Sequence, residues 1–334
     1  MRREFWGRAV RIQSLAEISG ARLQNAPQIV SVDGFCVSPK EARRGSAFIA
    51  RDEEEARVAV AAGAYAVIYE GDFEIFDFEV AFLRADNLNL ALWRLARYFM
   101  TERGHSAALA SPVQIAILRH LFLPKNAVIL EREPDHAFMQ IFRASEEGAC
   151  FFSDDFSSLQ KLSFEPVALG VRGVSNLNES SLFFCDLDMG GARYANLQFP
   201  PFFADELCGV CEFFASRGLD FRVRDLRDFP HFRAIFVNRF SRPVAFGTSE
   251  RAFICESDPA LFEREAAYLR GKNAKVKICA PKSLNLNFAD VQFANPAELA
   301  KLNGFTYALA LCDWNELFGS LSQERVEPSL FGDF

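Results

Sequence analysis

Between Val30 and Glu70 the chain alternates short apolar runs with polar turns more regularly than anywhere else. Phe35-Cys36-Val37 is a first apolar run, Arg43-Arg44-Gly45 a polar turn, and Ala47-Phe48-Ile49-Ala50 a second run. From Asp52 to Ala62 the pattern predicts a helix, because acidic residues in its first turn complement the helix dipole. Gly63 then stands where a helix ends. Ala66-Val67-Ile68-Tyr69 is apolar throughout, as a strand covered on both faces should be. Strand, turn, strand, helix, strand describes a small α/β unit.

The same logic extends along the chain. Ile12 to Ile18 is helix-like, and Asn87 to Met100 predicts an amphipathic helix. Its Leu88, Ala91, Leu92, Leu95, Tyr98 and Phe99 recur at three- and four-residue spacing, while Arg94 and Arg97 face water. Ala204 to Ser216 reads as an apolar-periodic helix closing at Gly218. Asp258 is placed to cap, and Pro259 to open, a helix running through Arg270. Ala234–Val237, Ala252–Cys255, Val276–Ala280 and Tyr307–Cys312 read as strands, and Pro296 to Leu302 as a short helix. Ser181 to Gly191 and Arg193 to Phe199 read as a hairpin turning at Gly190-Gly191. Strands alternating with helices imply an α/β fold with a doubly wound sheet at its carboxyl end.

Some of these segments also carry a resemblance. Ser38-Pro39-Lys40, Gly45-Ser46-Ala47-Phe48-Ile49-Ala50 and Gly63-Ala64-Tyr65-Ala66-Val67 resemble, in order and spacing, the first domain of the Mur ligases, most of all the MurE and MurF branches. The family writes these stretches as Asp-Ser-Arg, Gly-Asp-Leu-Phe-Val-Ala and a Gly-Ala strand entry. Pro39 stands where the family's serine helps hold the uridine diphosphate end of its substrate. Arg51-Asp52-Glu53 shortens the family's glycine-rich nucleotide loop. Further on, Gly148 to Asp155 resembles the family's strand ending in Asn-Ala-Asp-Asp, and Phe164 to Val171 the strand after it. The resemblance implies three parts: a small N-terminal α/β domain at 1–104, a truncated remnant of the central ATPase domain at 105–228, and a Rossmann-like domain at 229–334.

What the resemblance does not supply is the phosphate loop. Such a loop works because backbone N–H groups cradle the phosphates while a lysine reaches the terminal ones. Here no glycine occurs between Gly104 and Gly148, and no Lys-Thr or Lys-Ser pair stands in that stretch. The middle region is also where the family keeps its magnesium-binding glutamate, histidine and carbamylated lysine. Binding of ATP and magnesium is therefore not expected, no catalytic residue is assigned, and a non-catalytic Mur-ligase-like protein is the first expectation. It implies a binding, regulatory or scaffolding role in peptidoglycan precursor synthesis or cell-shape assembly, with a protein partner such as a peptidoglycan-synthesis enzyme.

A second expectation is a module that binds a UDP-sugar such as a UDP-MurNAc peptide, with Ser38, Lys40, Arg43, Arg44 and Arg51 donating to the diphosphate. The bland alternative is a solvated basic turn. The resemblance implies Asp154, Asp155, Arg233 and Asp258 as remnants of the family's sequence. Asp154-Asp155 reads either as an acid/base or metal pair or, more commonly, as a strand-end turn. A third possibility is new chemistry on the old scaffold, or a ligase with an atypical nucleotide site, but no Ser-His-Asp, Cys-His or clustered metal-ligand signature supports it.

Composition adds to this picture. The 334 residues suffice for two or three cores, and half of them are hydrophobic. The net charge of −7 argues against a general nucleic-acid binder, which needs a basic footprint. The 36 phenylalanines imply aromatic cores or, less often, an exposed patch for a partner. The eight cysteines are scattered, most of them inside apolar runs, as small core residues in a reducing compartment are. Cys208-Gly-Val-Cys211 has metal or redox spacing, yet its apolar setting favours a buried helix face. No apolar run reaches membrane-spanning length and no signal-like segment follows Met1, so a cytoplasmic protein is expected. The tail Gln323–Phe334 reads as a docking peptide or a frayed end.

Overall fold

The computed structural model describes residues 9–144, 148–163, 165–189, 191–223, 225–272 and 275–323. Gly190, Phe164 and all of the tail beyond Gln323 lie outside the described residues. The chain divides into two compact units, one made of 1–172 with 209–223 and the other of 173–208 with 224–334.

The first unit holds two parallel sheets. Strands β1 (Gly34–Cys36), β2 (Ser46–Ala50), β3 (Ala66–Glu70) and β4 (Ala81–Ala85) pair in that order and in parallel. The two-residue strand Arg22–Leu23 closes the far edge antiparallel to β4. Alternation along these strands separates two cores. Ala47, Ile49, Ala66, Ile68 and Leu83 face one side, and Phe48, Val67, Tyr69 and Phe82 the other. Helix α1 (Ile12–Ser19) covers the first side, and helix α2 (Glu53–Ala61) the second through Ala56 and Ala59. Asp52 caps α2 by accepting from the Glu55 amide at 2.8 Å, so the boundaries expected from the acidic first turn hold. Gly63 has φ +105°, a backbone that a side chain would strain.

Helix α3 (Leu88–Glu102) follows β4, with Asn87 accepting from Leu90 N at 2.8 Å as its cap. It runs into β5 (Ser106–Leu109), then α4 (Pro112–Arg119), β6 (Ala127–Ile129), α5 (Pro134–Arg143), β7 (Cys150–Ser153), α6 (Phe156–Leu162) and β8 (Val167–Ala168). The second sheet is parallel in the order β6-β7-β5-β8. It shares the α3 core of the first sheet. Phe35 and Phe99 lie edge-on to Phe142 from α5 at 5.0 and 5.3 Å, and Phe138 and Phe151 are fully buried in the same cluster. The segments expected as a first domain and the start of a second thus pack as one body.

Helix α7 (Ala204–Ala215) carries Cys208 and Cys211, both buried. The glycine between them has a steric cause: a Cβ on Gly209 would lie 2.1 Å from the Gly170 carbonyl oxygen. The spacing therefore records close backbone packing on a buried helix face.

The second unit opens with an antiparallel sheet in which β9 (Cys185–Met189) pairs with β10 (Ala192–Leu197) and with Asn178–Glu179. Its main sheet has the order β11-β12-β15-β13-β14, from β11 (Arg233–Phe236), β12 (Ala252–Glu256), β13 (Val276–Pro281), β14 (Val291–Phe293) and β15 (Tyr307–Leu311). All pairs are parallel except β11 with β12. Helix α8 (Pro259–Lys272) follows β12, and α9 (Trp314–Ser322) follows β15. Leu317 and Leu321 of α9 pack with Phe253, Cys255, Ala308 and Ala310 on one face. Alternation turns Ile254, Leu309 and Ile278 to the opposite face, where α8 lies. This is the doubly wound α/β arrangement that the strand–helix alternation predicts.

No helix among the described residues is long and apolar enough to cross a membrane.

Candidate functional site

In an open α/β sheet the natural binding crevice lies outside the strand carboxyl ends, where successive helices leave on opposite faces. In the second unit that place is between β12 and β15, since α8 and α9 depart from these neighbours in opposite directions. Glu256 is the last residue of β12 and is 1% exposed. A carboxylate so deeply buried needs its oxygens satisfied. The amides of Ser257 and Asp258 each donate to Oε1 at 2.8 Å, and the Phe232 amide approaches Oε2 at 3.4 Å. Phe232 reaches it from a left-handed backbone, φ +55°, which is strained for a bulky residue.

His231 completes the shell. Its Nδ1 lies 3.1 Å from both Glu256 oxygens. A carboxylate accepts, so Nδ1 carries the proton and Nε2 is left as the acceptor nitrogen. His231 lines a cavity of about 250 Å³ together with Phe183, Gln198, Phe229, Arg233 and Trp314. The Arg233 guanidinium stacks 3.8 Å above Trp314 and stands 3.5 Å from Asp228. The site can accept a hydrogen bond or a proton at His231, stack a flat group on its aromatic walls, and meet a negative group at Arg233.

The residues singled out in sequence are distributed elsewhere, with one exception. Arg233 lines the cavity, while Asp258 caps α8 by accepting from Ala260 N at 2.8 Å. Asp154 pairs with Arg132 at 2.8 Å. Asp155 caps α6, accepting from the Ser158 hydroxyl at 2.5 Å and the Ser157 amide at 2.9 Å, and the Ser158 bond leads the causes that lower its pKa. The Asp-Asp pair is thus engaged as a strand-end turn.

The five candidate diphosphate donors do not converge. Ser38 and Arg51 follow the carboxyl ends of β1 and β2, while Arg43 and Arg44 precede the amino end of β2, about 16 Å away along a five-residue strand. Lys40 lies in the 3₁₀ turn Pro39–Glu41 that joins the two strands. Arg44 donates to the Tyr65 hydroxyl at 2.8 Å. Arg51 grips Asp135 at 2.5 and 3.1 Å and Asn89 at 2.8 Å.

One further feature concerns phosphate binding. Only Ala110 and Ser111 separate β5 from α4, and the amino end of α4 is closed by its own residues. Ser111 Oγ accepts from Gln114 N at 3.1 Å, and Ser111 N donates to Gln114 Oε1 at 2.8 Å, a reciprocal capping box. Pro112 offers no N–H. The buried Gln114 side chain also donates to Leu169 O and Gly170 O, each at 3.1 Å.

The sequence reading missed Glu256 as the partner of His231, since twenty-five residues separate them and only the β11–β12 pairing joins them. It also missed the α4 cap, although Ser-Pro-Val-Gln carries the signature of a capping box.

These observations define an α/β protein of two compact units with a crevice at the carboxyl edge of a doubly wound sheet. The fold is that of the Mur ligases. A crystal structure of MurF from Acinetobacter baumannii superposes with a TM-score of 0.53 at 12% identity, covering 95% of this chain and 99% of that one. Weaker superpositions relate the chain to a second A. baumannii structure, a UDP-N-acetylmuramoylalanyl-D-glutamyl-2,6-diaminopimelate–D-alanyl-D-alanyl ligase (TM-score 0.45, 13% identity, 93% and 91% covered), and to MurF from Thermotoga maritima with ADP (TM-score 0.42, 12% identity, 86% and 95% covered). No protein-family model and no curated protein matches the sequence.

Proposed function

We propose that this chain is a binding protein on the Mur-ligase scaffold, acting in peptidoglycan precursor synthesis or cell-shape assembly through a partner and not by ATP-driven ligation. The observation that carries the reading is the closed β5–α4 connection. A phosphate loop needs free backbone N–H groups at a helix amino end. Here proline removes one of them, and the Ser111–Gln114 box engages the Gln114 amide. Gln114 is in turn held by two backbone carbonyls, so opening the connection would strand buried polar groups. The MurF fold supports the pathway assignment. The engaged Arg44 and Arg51 weigh against the alternative of a UDP-sugar module and for partner binding.

Titration calorimetry with Mg–ATP and with a UDP-MurNAc peptide tests this, alongside an assay for ATP-dependent addition of an amino acid or dipeptide to the UDP compound. No ATP heat and no ligated product are expected. Ligation, or ATP binding that survives Ser111→Ala and Gln114→Ala changes, overturns the reading. Binding of the UDP compound alone replaces it with a precursor sensor.

A further inference from the structure

We propose that the chain binds further copies of itself head to tail. An arginine-flanked turn in the second unit of one copy docks on an acidic, phenylalanine-bearing face in the first unit of the next. A single exposed apolar side chain is ordinary. Here two phenylalanines are held outward by ordered turns, one amid positive charge and the other amid negative charge.

The basic half is the turn that follows β11. Val237 bridges Pro243, and the Asn238 amide donates to the Arg242 carbonyl at 2.9 Å. Asn238 Oδ1 accepts from the amides of Phe240, at 2.9 Å, and Arg242, at 3.1 Å. Ser241 is buried with φ +59°, a left-handed backbone that costs energy for a residue with a side chain. Phe240 is left 65% exposed at the tip, even with the Arg239 guanidinium 4.6 Å over its ring. Arg239 and Arg242 are exposed and make no ion pair among the described residues. Residues 237–251 carry three arginines against one acid, Glu250.

The acidic half is the connection between β3 and β4, residues 71–80, which holds four acids and no basic residue. Phe73 stacks on Tyr69 at 4.4 Å and Phe76 meets Phe82 edge-on at 5.1 Å, so two rings anchor the connection to the core under α2. Arg57 ties it to α2, pairing with Glu53 at 2.6 Å and Glu74 at 3.0 Å. The third ring, Phe78, stands between Asp77 and Glu79 and is 73% exposed. Asp77, Glu79 and, on α2, Glu54 and Glu55 make no ion pair among the described residues.

Charge selects the occupant and the geometry. A two-fold contact through either half would set arginine against arginine or acid against acid, which repel. The contact that satisfies both is heterologous, the turn of one copy on the acidic face of the next, and it leaves one free half of each kind for a further copy. Both halves are already ordered, so docking costs little conformational freedom. Such self-association rests on the partner role proposed above and names the partner. Nucleotide and UDP compound play no part in it, so its failure would leave the reading against ATP-driven ligation intact.

The test is analytical ultracentrifugation of the full chain over a range of concentrations. At low salt the average mass should climb past that of a dimer, and ~0.5 M salt should weaken association several-fold, since screening there acts within a few ångströms. Two neutral variants separate the halves. Arg239→Gln with Phe240→Ser and Arg242→Gln disables the turn, and Asp77→Asn with Phe78→Ser and Glu79→Gln disables the acidic face. None of these six residues is buried, so both variants should fold, which unchanged thermal unfolding would verify. The single changes Phe240→Ser and Phe78→Ser repeat the test if a triple variant misfolds. Each variant alone should associate about tenfold or more weakly. An equal mixture should form a dimer and nothing larger, because each variant keeps the half that the other lacks. An unmodified chain that stays monomeric up to ~0.5 mM, a range that detects even millimolar contacts, overturns the proposal. So does association that ignores salt, that both variants retain, or that the mixture fails to restore.

Discussion

Glu265 is a carboxyl group on the buried side of α8, wholly without solvent exposure, whose oxygens find no hydrogen-bond partner among the described residues. Burial first, and then the negative charge of Glu256, push its pKa from 4.5 up to about 10. It is therefore a neutral acid at physiological pH. Because the folded pKa is raised, the folded state holds a proton that the unfolded state releases. The contribution of Glu265 to native stability is fully present below pH 4.5 and is lost as pH rises toward 10. Glu265→Gln should then stabilise the protein by roughly 2–4 kcal/mol at pH 8, with little gain at pH 4.5, and urea unfolding at the two values would show it. Equal gains at both would mean that packing and not protonation governs the site. Glu256 is the opposite case in its hydrogen bonding, since two backbone amides and a histidine satisfy the oxygens that Glu265 lacks partners for.

At the scale of elements, helix ends do much of the specification. Asp52, Asn87, Asp155 and Asp313 each place a side-chain oxygen on first-turn amides of the helix that follows. The cap of α4 differs in consequence, because it also closes the place where a phosphate loop would open. Ser111→Ala should cost about 1 kcal/mol, as N-cap losses usually do. Gln114→Ala should cost more, roughly 2–3 kcal/mol, since it abandons the buried Leu169 and Gly170 carbonyls as well. Chemical denaturation midpoints would rank the two, and a reversed order would show that the box is incidental to α4.

For the whole molecule, the aromatic cluster of Phe35, Phe99, Phe138 and Phe142 joins segments on either side of Gly104. Residues 1–104 by themselves would expose the face of α3 that α5 and α6 cover. That fragment should bind a hydrophobic dye and lack near-ultraviolet dichroism, as a loosely packed state does. In the full chain, Phe138→Ala should cost about 3–5 kcal/mol. A fragment with a sharp thermal transition of its own would show that the first sheet suffices as a core.

The sequence by itself determined the local pieces: β2 and β3 as apolar runs, α2 and α3 through their caps and periodicity, Asp258-Pro259 as a helix start, and most of the cysteines as core residues. Each depends on interactions within a few residues, which spacing records directly. It also exposed the missing glycines before α4, a property of composition. What only the tertiary structure decided is which polar groups meet. His231 and Glu256 come together through strand pairing, and Arg51 is taken up by Asp135 eighty-four positions away. Such contacts leave no periodicity in the chain, because a charge costs the same in sequence whether a distant partner neutralises it or water does, and only folding chooses between them.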